Sequence, residues 1–168
     1  MSTLPEVNIV QAPLGIDNIP EFFNDHFTDG EWNIFLAPNV VYHSSVIQEV
    51  QNIIVSYPEV ACIYTDSSFR LSVNNDICCN LYYPCYNFNI NNTVNLYTPV
   101  ICSSKVETRF DTTIKTLYYA NFWNHALQQY IAWHVPKVLF TLPHLPKTQQ
   151  LINEHKILSY GNGSTQYS

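Results

Sequence analysis

Charge is what this sequence has least of. Asp, Glu, Lys and Arg make up 12% of its 168 residues, about half the usual share. Only seven residues are Lys or Arg, they are scattered, and the formal net charge is −6. Gripping a phosphate backbone takes clusters of basic side chains, so no nucleic-acid partner is expected. Glycine is also scarce, at four residues. There is no Gly-rich phosphate loop and no Gly-x-Ser-x-Gly nucleophile elbow. No apolar run approaches the roughly 18 residues of a membrane span. The first residues do not pair a basic segment with an apolar one, so neither a secretory signal nor a membrane partner is expected.

Cysteine is present but in an unpromising pattern. Cys62, Cys78, Cys79, Cys85 and Cys102 make five, an odd number that argues against a fully paired disulfide framework. Cys78, Cys79 and Cys85 lack the C-x-x-C spacing of common zinc sites. Free, mostly buried thiols are the expectation. The sequons at Asn91 and Asn162 carry little weight without an export signal.

What is there is a globular composition, 46% apolar, in a length that suits one domain. Asn, Ser, Thr and Tyr take the place of charged residues. Such a surface suits packing against other protein, because few charges need desolvation. Val7–Gln11 and Trp32–Leu36 read as strands, with a short helix at Pro20–Phe27 between them. Ser45–Tyr57 puts Val46, Ile47, Val50, Ile53, Ile54 and Tyr57 on one helical face. Ser45 and Gln48 fit a capping box there. Val60–Thr65 is a continuous apolar strand. Phe69–Val73 and Ile77–Tyr82 suggest a hairpin around Asn74-Asn75-Asp76. Val94–Cys102 is a further strand, Leu117–Ile131 a second long helix with Leu117, Ala120, Trp123 or Asn124, Leu127 and Ile131 at core spacing, and Lys137–Leu142 a last strand. The expected division is residues 1–143 as one domain and 144–168 as a polar tail.

The order of these segments resembles the later part of a GT-A glycosyltransferase domain of the family 2 type, which uses nucleotide-diphospho-sugars. "DGEWNIFLAPNVVYHSSVIQEVQNIIVSYPEVACIYTD" is similar to the family's strand, metal loop, helix and Y-x-D strand. "VNLYTPVICSSKVETRFDTTI" resembles its acceptor-side strand and F-D segment. "YYANFWNHALQQYIAWHVPKVLFTLP" resembles its late helix and P-x-V-L-Y strand, and "APLGIDNIPEFFNDHF" its G-I-x-x-A-R-N helix. The resemblance covers about Val7 to Pro143. It implies an α/β fold: an incomplete GT-A-like sheet with flanking helices and a β-hairpin.

The same resemblance implies that the chemistry has been lost. The family's Asp-x-Asp metal loop matches Ala37-Pro38-Asn39, which offers one neutral amide where hard cations want carboxylates. The family's general-base Asp matches Ala120 and Asn121, neither of which takes a proton near neutral pH. Its diphosphate-binding Arg falls at Gln128 or Gln129. The two strand-helix units that would hold a nucleotide have no counterpart ahead of Val7. A sheet lacking them leaves a strand edge open, at Val7–Gln11 or Trp32–Leu36.

Four further positions have a functional and a plainer reading. Asp66 is a residual metal ligand, or a relic that forms a turn with Ser67 and Ser68. His43 is a ligand, or a helix-entry residue. His125, one turn after Asn121, is a substitute base sharing a cleft with it, or a helix-face residue. Tyr82, Tyr83, Tyr86 and Phe88 stack on a sugar, or anchor a protein interface. The plainer reading is preferred for each of the first three, and the interface for the aromatic cluster. The expectation is a non-catalytic glycosyltransferase-like domain without cofactor, a structural or interaction component of a virion or similar assembly, placed in the cytoplasm or the particle and partnered by other subunits in an oligomer. The alternatives are a half-domain that works with Mg²⁺ or Mn²⁺ once a partner chain completes it, and a module that binds glycan.

Overall fold

Trp32–Leu36 is apolar at four of five positions because it lies inside the sheet, with strands on both sides and every residue buried. The computed structural model describes residues 4–72, 75–82 and 96–143. Within them the chain runs β1 (Val7–Gln11), α1 (Ile19–Asp25), β2 (Trp32–Leu36), β3 (Val41–Tyr42), α2 (Val46–Ser56), β4 (Cys62–Ser72), β5 (Asn75–Leu81), β6 (Val100–Ser103), α3 (Tyr118–Ala126) and β7 (Ala132–Leu142). The fold is mixed α/β. The strands form one seven-stranded sheet in the order β1-β2-β6-β4-β7-β3, with β5 hairpinned onto β4. β1 and β2 are parallel, as are β4 and β7, while β6 runs antiparallel between β2 and β4.

The register lines residues up across the sheet. Ile9, Ile34, Ile101, Ile63 and Trp133 form one lateral row. Tyr57, closing α2, stacks on Trp133 at 4.0 Å, which puts α2 over this face. The next row, Asn8, Asn33, Cys102, Cys62 and Ala132, points to the opposite face because strand side chains alternate. There α1 and α3 pack: Phe23 and Phe27 lie 5.4 and 5.1 Å from Phe35, and Trp123 lies 5.8 Å from Tyr64.

Several expected boundaries move, each for a physical reason. Asp66-Ser67-Ser68 is polar yet does not end a strand; β4 runs through it to Ser72 and on into the hairpin. Asn75 already pairs with Ser72, so Asn75 and Asp76 belong to β5 rather than to the expected turn. Of the expected Val94–Cys102 strand, only Val100–Cys102 is strand among the described residues, as part of Val100–Ser103, consistent with Pro99 lacking an amide donor. The second long helix ends at Ala126, and Ile131 is exposed rather than core. α3 is buried nearly all round, from Tyr118 to Asn124 and at Ala126, which a one-face pattern does not anticipate. Of the open edges expected, β1 ends the sheet among the described residues and β2 does not. Cys78 and Cys79 fall on β5, while Cys85, both sequons and residues 144–168 lie outside the described residues.

The capping box at Ser45 is also replaced. Ser45 has helical backbone angles and makes no side-chain cap. Its amide instead donates to His43 Nδ1 at 3.1 Å, and its hydroxyl lies 2.8 Å from the same nitrogen. His43 therefore serves the helix entry.

Cys62 and Cys102 are free and fully buried. They face each other across β4 and β6, and the bond from Ser103 N to Ala61 O makes theirs a non-hydrogen-bonded pair, where side chains come closest. Burial pushes the Cys62 thiol up to about 12. Burial, then the neighbouring Cys62, raise Cys102 well above the thiol range, against an opposing pull from Arg109. Unfolded thiols ionise from about pH 8.5. The unfolded chain thus sheds these protons first, and the thiols' contribution, complete below that pH, is lost as pH rises towards about 12 for Cys62. Stability should fall by about 1.4 kcal/mol per pH unit per thiol in that window. Urea midpoints from pH 8 to 11 are expected to fall less steeply in Cys62→Ala/Cys102→Ala than in the wild type.

Candidate functional site

In open α/β sheets ligands bind at the carboxyl ends of parallel strands. For β2 that end is Ala37-Pro38-Asn39-Val40. Val40 N donates to Ala37 O at 3.2 Å, and Asn39 has φ 65°. Pro at the second position and a left-handed Asn at the third are the signature of a type II turn. Asn tolerates that conformation because its short amide stabilises it locally. Pro38 and Asn39 are therefore the residues this turn requires. Asn39→Val is expected to destabilise by about 1–2 kcal/mol, the cost of a branched side chain in the left-handed region, and Asn39→Gly to be near neutral. Chemical denaturation of both variants checks this.

The turn is tied down from α3. The Tyr119 hydroxyl donates to Phe35 O at 2.9 Å and accepts from Ala37 N at 2.7 Å. Burial, chiefly, holds this phenol well above its ordinary range. Beside the turn lies a cleft of about 250 Å³ walled by Ile19, Ala37, Pro38, Tyr97, Lys115, Thr116, Tyr118, Tyr119, Leu142 and Pro143. Tyr97 is held by its hydroxyl, which donates to Thr116 O at 2.8 Å, and by stacking on Phe69. Among the described residues the lining has phenols, one hydroxyl and one ammonium, and no carboxylate or imidazole. Such a surface can stack on a ring or seat an apolar side chain. Ala37, Pro38 and Asn39 do not fit Mg²⁺ or Mn²⁺, since Ala37 is buried and brings a methyl group, and Asn39 brings a single neutral amide. Among the described residues no three His, Cys, Asp or Glu side chains are grouped to hold a metal ion.

The remaining candidates are dispersed. Ala120 and Asn121 are buried in α3, and neither lines the cleft. His125 is exposed, and its Nδ1 turns back to Asn121 O at 2.8 Å. Gln128 lies just past α3 and donates to Asn124 O. Tyr82 is 70% exposed, with its hydroxyl accepting from Asn80; Tyr83, Tyr86 and Phe88 lie outside the described residues.

Asp66 does not stand at a strand end, where both of its readings put it. It lies mid-strand, 3% exposed, and accepts from His134 Nε2 at 2.8 Å. The two meet across an irregularity in the β4–β7 ladder, where the register jumps from Thr65↔Val135 to Asp66↔Val138. Pro136 falls in the gap and has no amide to contribute. His134 also stacks on Tyr64 at 4.8 Å. A carboxylate–imidazole pair is a familiar catalytic combination, but side chains exposed by only 5% and 4% do not reach a substrate. His134, Tyr97, Tyr118 and Tyr119 are the residues that strand and helix patterns miss. No local spacing marks them, and only the sheet order brings them to their partners.

No protein-family model matches this chain, and no curated protein matches it.

Proposed function

We propose that this chain is a non-catalytic domain of GT-A glycosyltransferase type, serving as a structural or interaction component of a larger assembly such as a virion. The observation that carries the reading is the end of β2. Where a sugar-nucleotide transferase needs carboxylates, this chain has a proline-asparagine turn closed by the Tyr119 hydroxyl. The ordered segment resemblance supplies the family, and the parallel β2, β4 and β7 with α2 between β2 and β4 are compatible with it. A chain poor in charge loses little on being buried against protein, which favours an assembly role over a soluble catalyst.

The test is turnover. Incubation with nucleoside-diphosphate sugars and Mn²⁺ is expected to release no free nucleotide above the protein-free rate. Sustained release would overturn the proposal. A second reading, glycan binding without turnover, has the cleft walled by Tyr97 and Tyr118 in its favour. It predicts glycan-dependent shifts of the Tyr97 and Tyr118 resonances, and an unchanged spectrum across a panel of mono- and oligosaccharides would remove it.

A further inference from the structure

We infer that two copies of this chain pair through β1, antiparallel and related by a two-fold axis at Ile9. Trp32 N donates to Glu6 O, and Ala12 N donates to Leu36 O. In a parallel ladder these two bonds fix the parity: even-numbered residues of β1 turn their backbone groups to β2, and Val7, Ile9 and Gln11 turn theirs away. β1 is the end of the sheet order, and among the described residues nothing pairs with that outer side. Natural edges are guarded by Lys, by Pro within the strand or by a bulge. β1 reads Val-Asn-Ile-Val-Gln, with no charge and no proline, and it pairs with β2 without a register break.

The flanking sequence selects the partner. Leu4-Pro5 and Pro13-Leu14 stand at mirror positions about Ile9. Antiparallel pairing centred there sets Val7 against Gln11 of the other copy, Ile9 against Ile9, Pro5 against Pro13 and Leu4 against Leu14. The three outward amides are those of Val7, Ile9 and Gln11. The ladder stops on each side at a proline with no N–H to offer, and the Pro5 carbonyl is already taken by Gln51 Nε2 at 3.1 Å. Beyond the prolines, Leu4 and Leu14 are 61% and 78% exposed, and the two-fold brings them together. Isologous interfaces demand such self-complementarity. The pairing deepens the interaction role proposed above by naming a second copy as partner. It rests on that role for its purpose only; turnover tests the role, and mass tests the pairing.

The experiment is sedimentation equilibrium of the whole chain across micromolar concentrations, with amide exchange read on the same samples. A species of twice 19.4 kDa is expected, with exchange at Val7, Ile9 and Gln11 slowing as concentration rises. Ile9→Pro removes an outward amide that β2 does not use, and should weaken dimerisation about tenfold or more. Leu4→Asp/Leu14→Asp sets like charges against each other and should weaken it comparably. Leu4→Lys/Leu14→Asp sets opposite charges together and should recover much of the loss. The leucine variants change exposed residues and so decide the matter if Ile9→Pro fails to fold. A wild type that stays at 19.4 kDa throughout, or a dimer that ignores both leucine variants, would overturn the pairing.

Discussion

Asn33→Ala is expected to lower the unfolding free energy by about 3 kcal/mol or more, the largest effect of any single polar side chain described here. Asn33 is fully buried on β2. Its amide nitrogen donates to Phe27 O at 2.7 Å and to Gly30 O at 3.2 Å, and its oxygen accepts from Gly30 N at 3.1 Å. One side chain thus satisfies three backbone groups of the turn that carries α1 into β2. Truncating it leaves all three short of this partner in a dry setting, at about 1–3 kcal/mol for each that water cannot reach. For a chain of this size that corresponds to a drop in Tm of about 6–12 °C. Asn8, which reaches the same oxygen at a long 3.4 Å, should cost well under half as much when truncated. Gly30 belongs to the same unit. A Cβ there would lie 2.7 Å from Asn8 Cβ and 3.0 Å from Trp32 O, so Gly30→Ala should destabilise through the same turn. Thermal unfolding of the three variants ranks them, and equal effects for Asn33→Ala and Asn8→Ala would contradict this assignment.

His134→Leu is expected to cost about 3 kcal/mol, because it takes the imidazole donor from a carboxylate that has almost no access to water. Asp66→Leu alone should cost a similar amount by taking the carboxylate acceptor from the imidazole. The double variant should cost less than either, since an apolar pair of comparable volume asks for no hydrogen bond in that position. The double-mutant cycle therefore predicts a large coupling energy between residues 68 positions apart in the chain. Additive losses would show that the pair acts as two separate contacts.

These two sites mark where the sequence was legible and where it was not. β1, β2 and α2 follow from local pattern: short apolar-rich runs bounded by Pro13 and Asp29-Gly30, and an apolar helical face ended by Pro58. Asn33 hides inside an apolar run, and nothing in "WNIFL" says that its amide serves a turn three residues back. Asp66-Ser67-Ser68 looks like the end of a strand because polar runs usually are. These residues stay in the strand because their partners come from elsewhere: His134 for Asp66, the Thr98 hydroxyl for Ser67 at 2.5 Å and Thr141 for Ser68 at 3.4 Å. Asn24 makes the same point. Its side chain exchanges two bonds of 2.9 Å with the backbone of Phe110, fixing α1 against the segment before α3. In a chain short of charge, asparagine, serine and threonine join distant segments, and such joints have no local signature. That Ala37-Pro38-Asn39 carries no carboxylate was legible. That these residues make a turn clamped by Tyr119 was not, because α3 reaches β2 only through the folded sheet.

Amide NMR of the labelled chain during titration with Mn²⁺ and a nucleoside-diphosphate sugar tests the central claim most directly. If the end of β2 is a closed turn with no grip on a divalent ion, the amides of Asn39, Val40 and Tyr119 keep their intensity at Mn²⁺ levels that saturate an ordinary carboxylate site. Saturable broadening centred on those amides, strengthened by the sugar nucleotide, would contradict the claim.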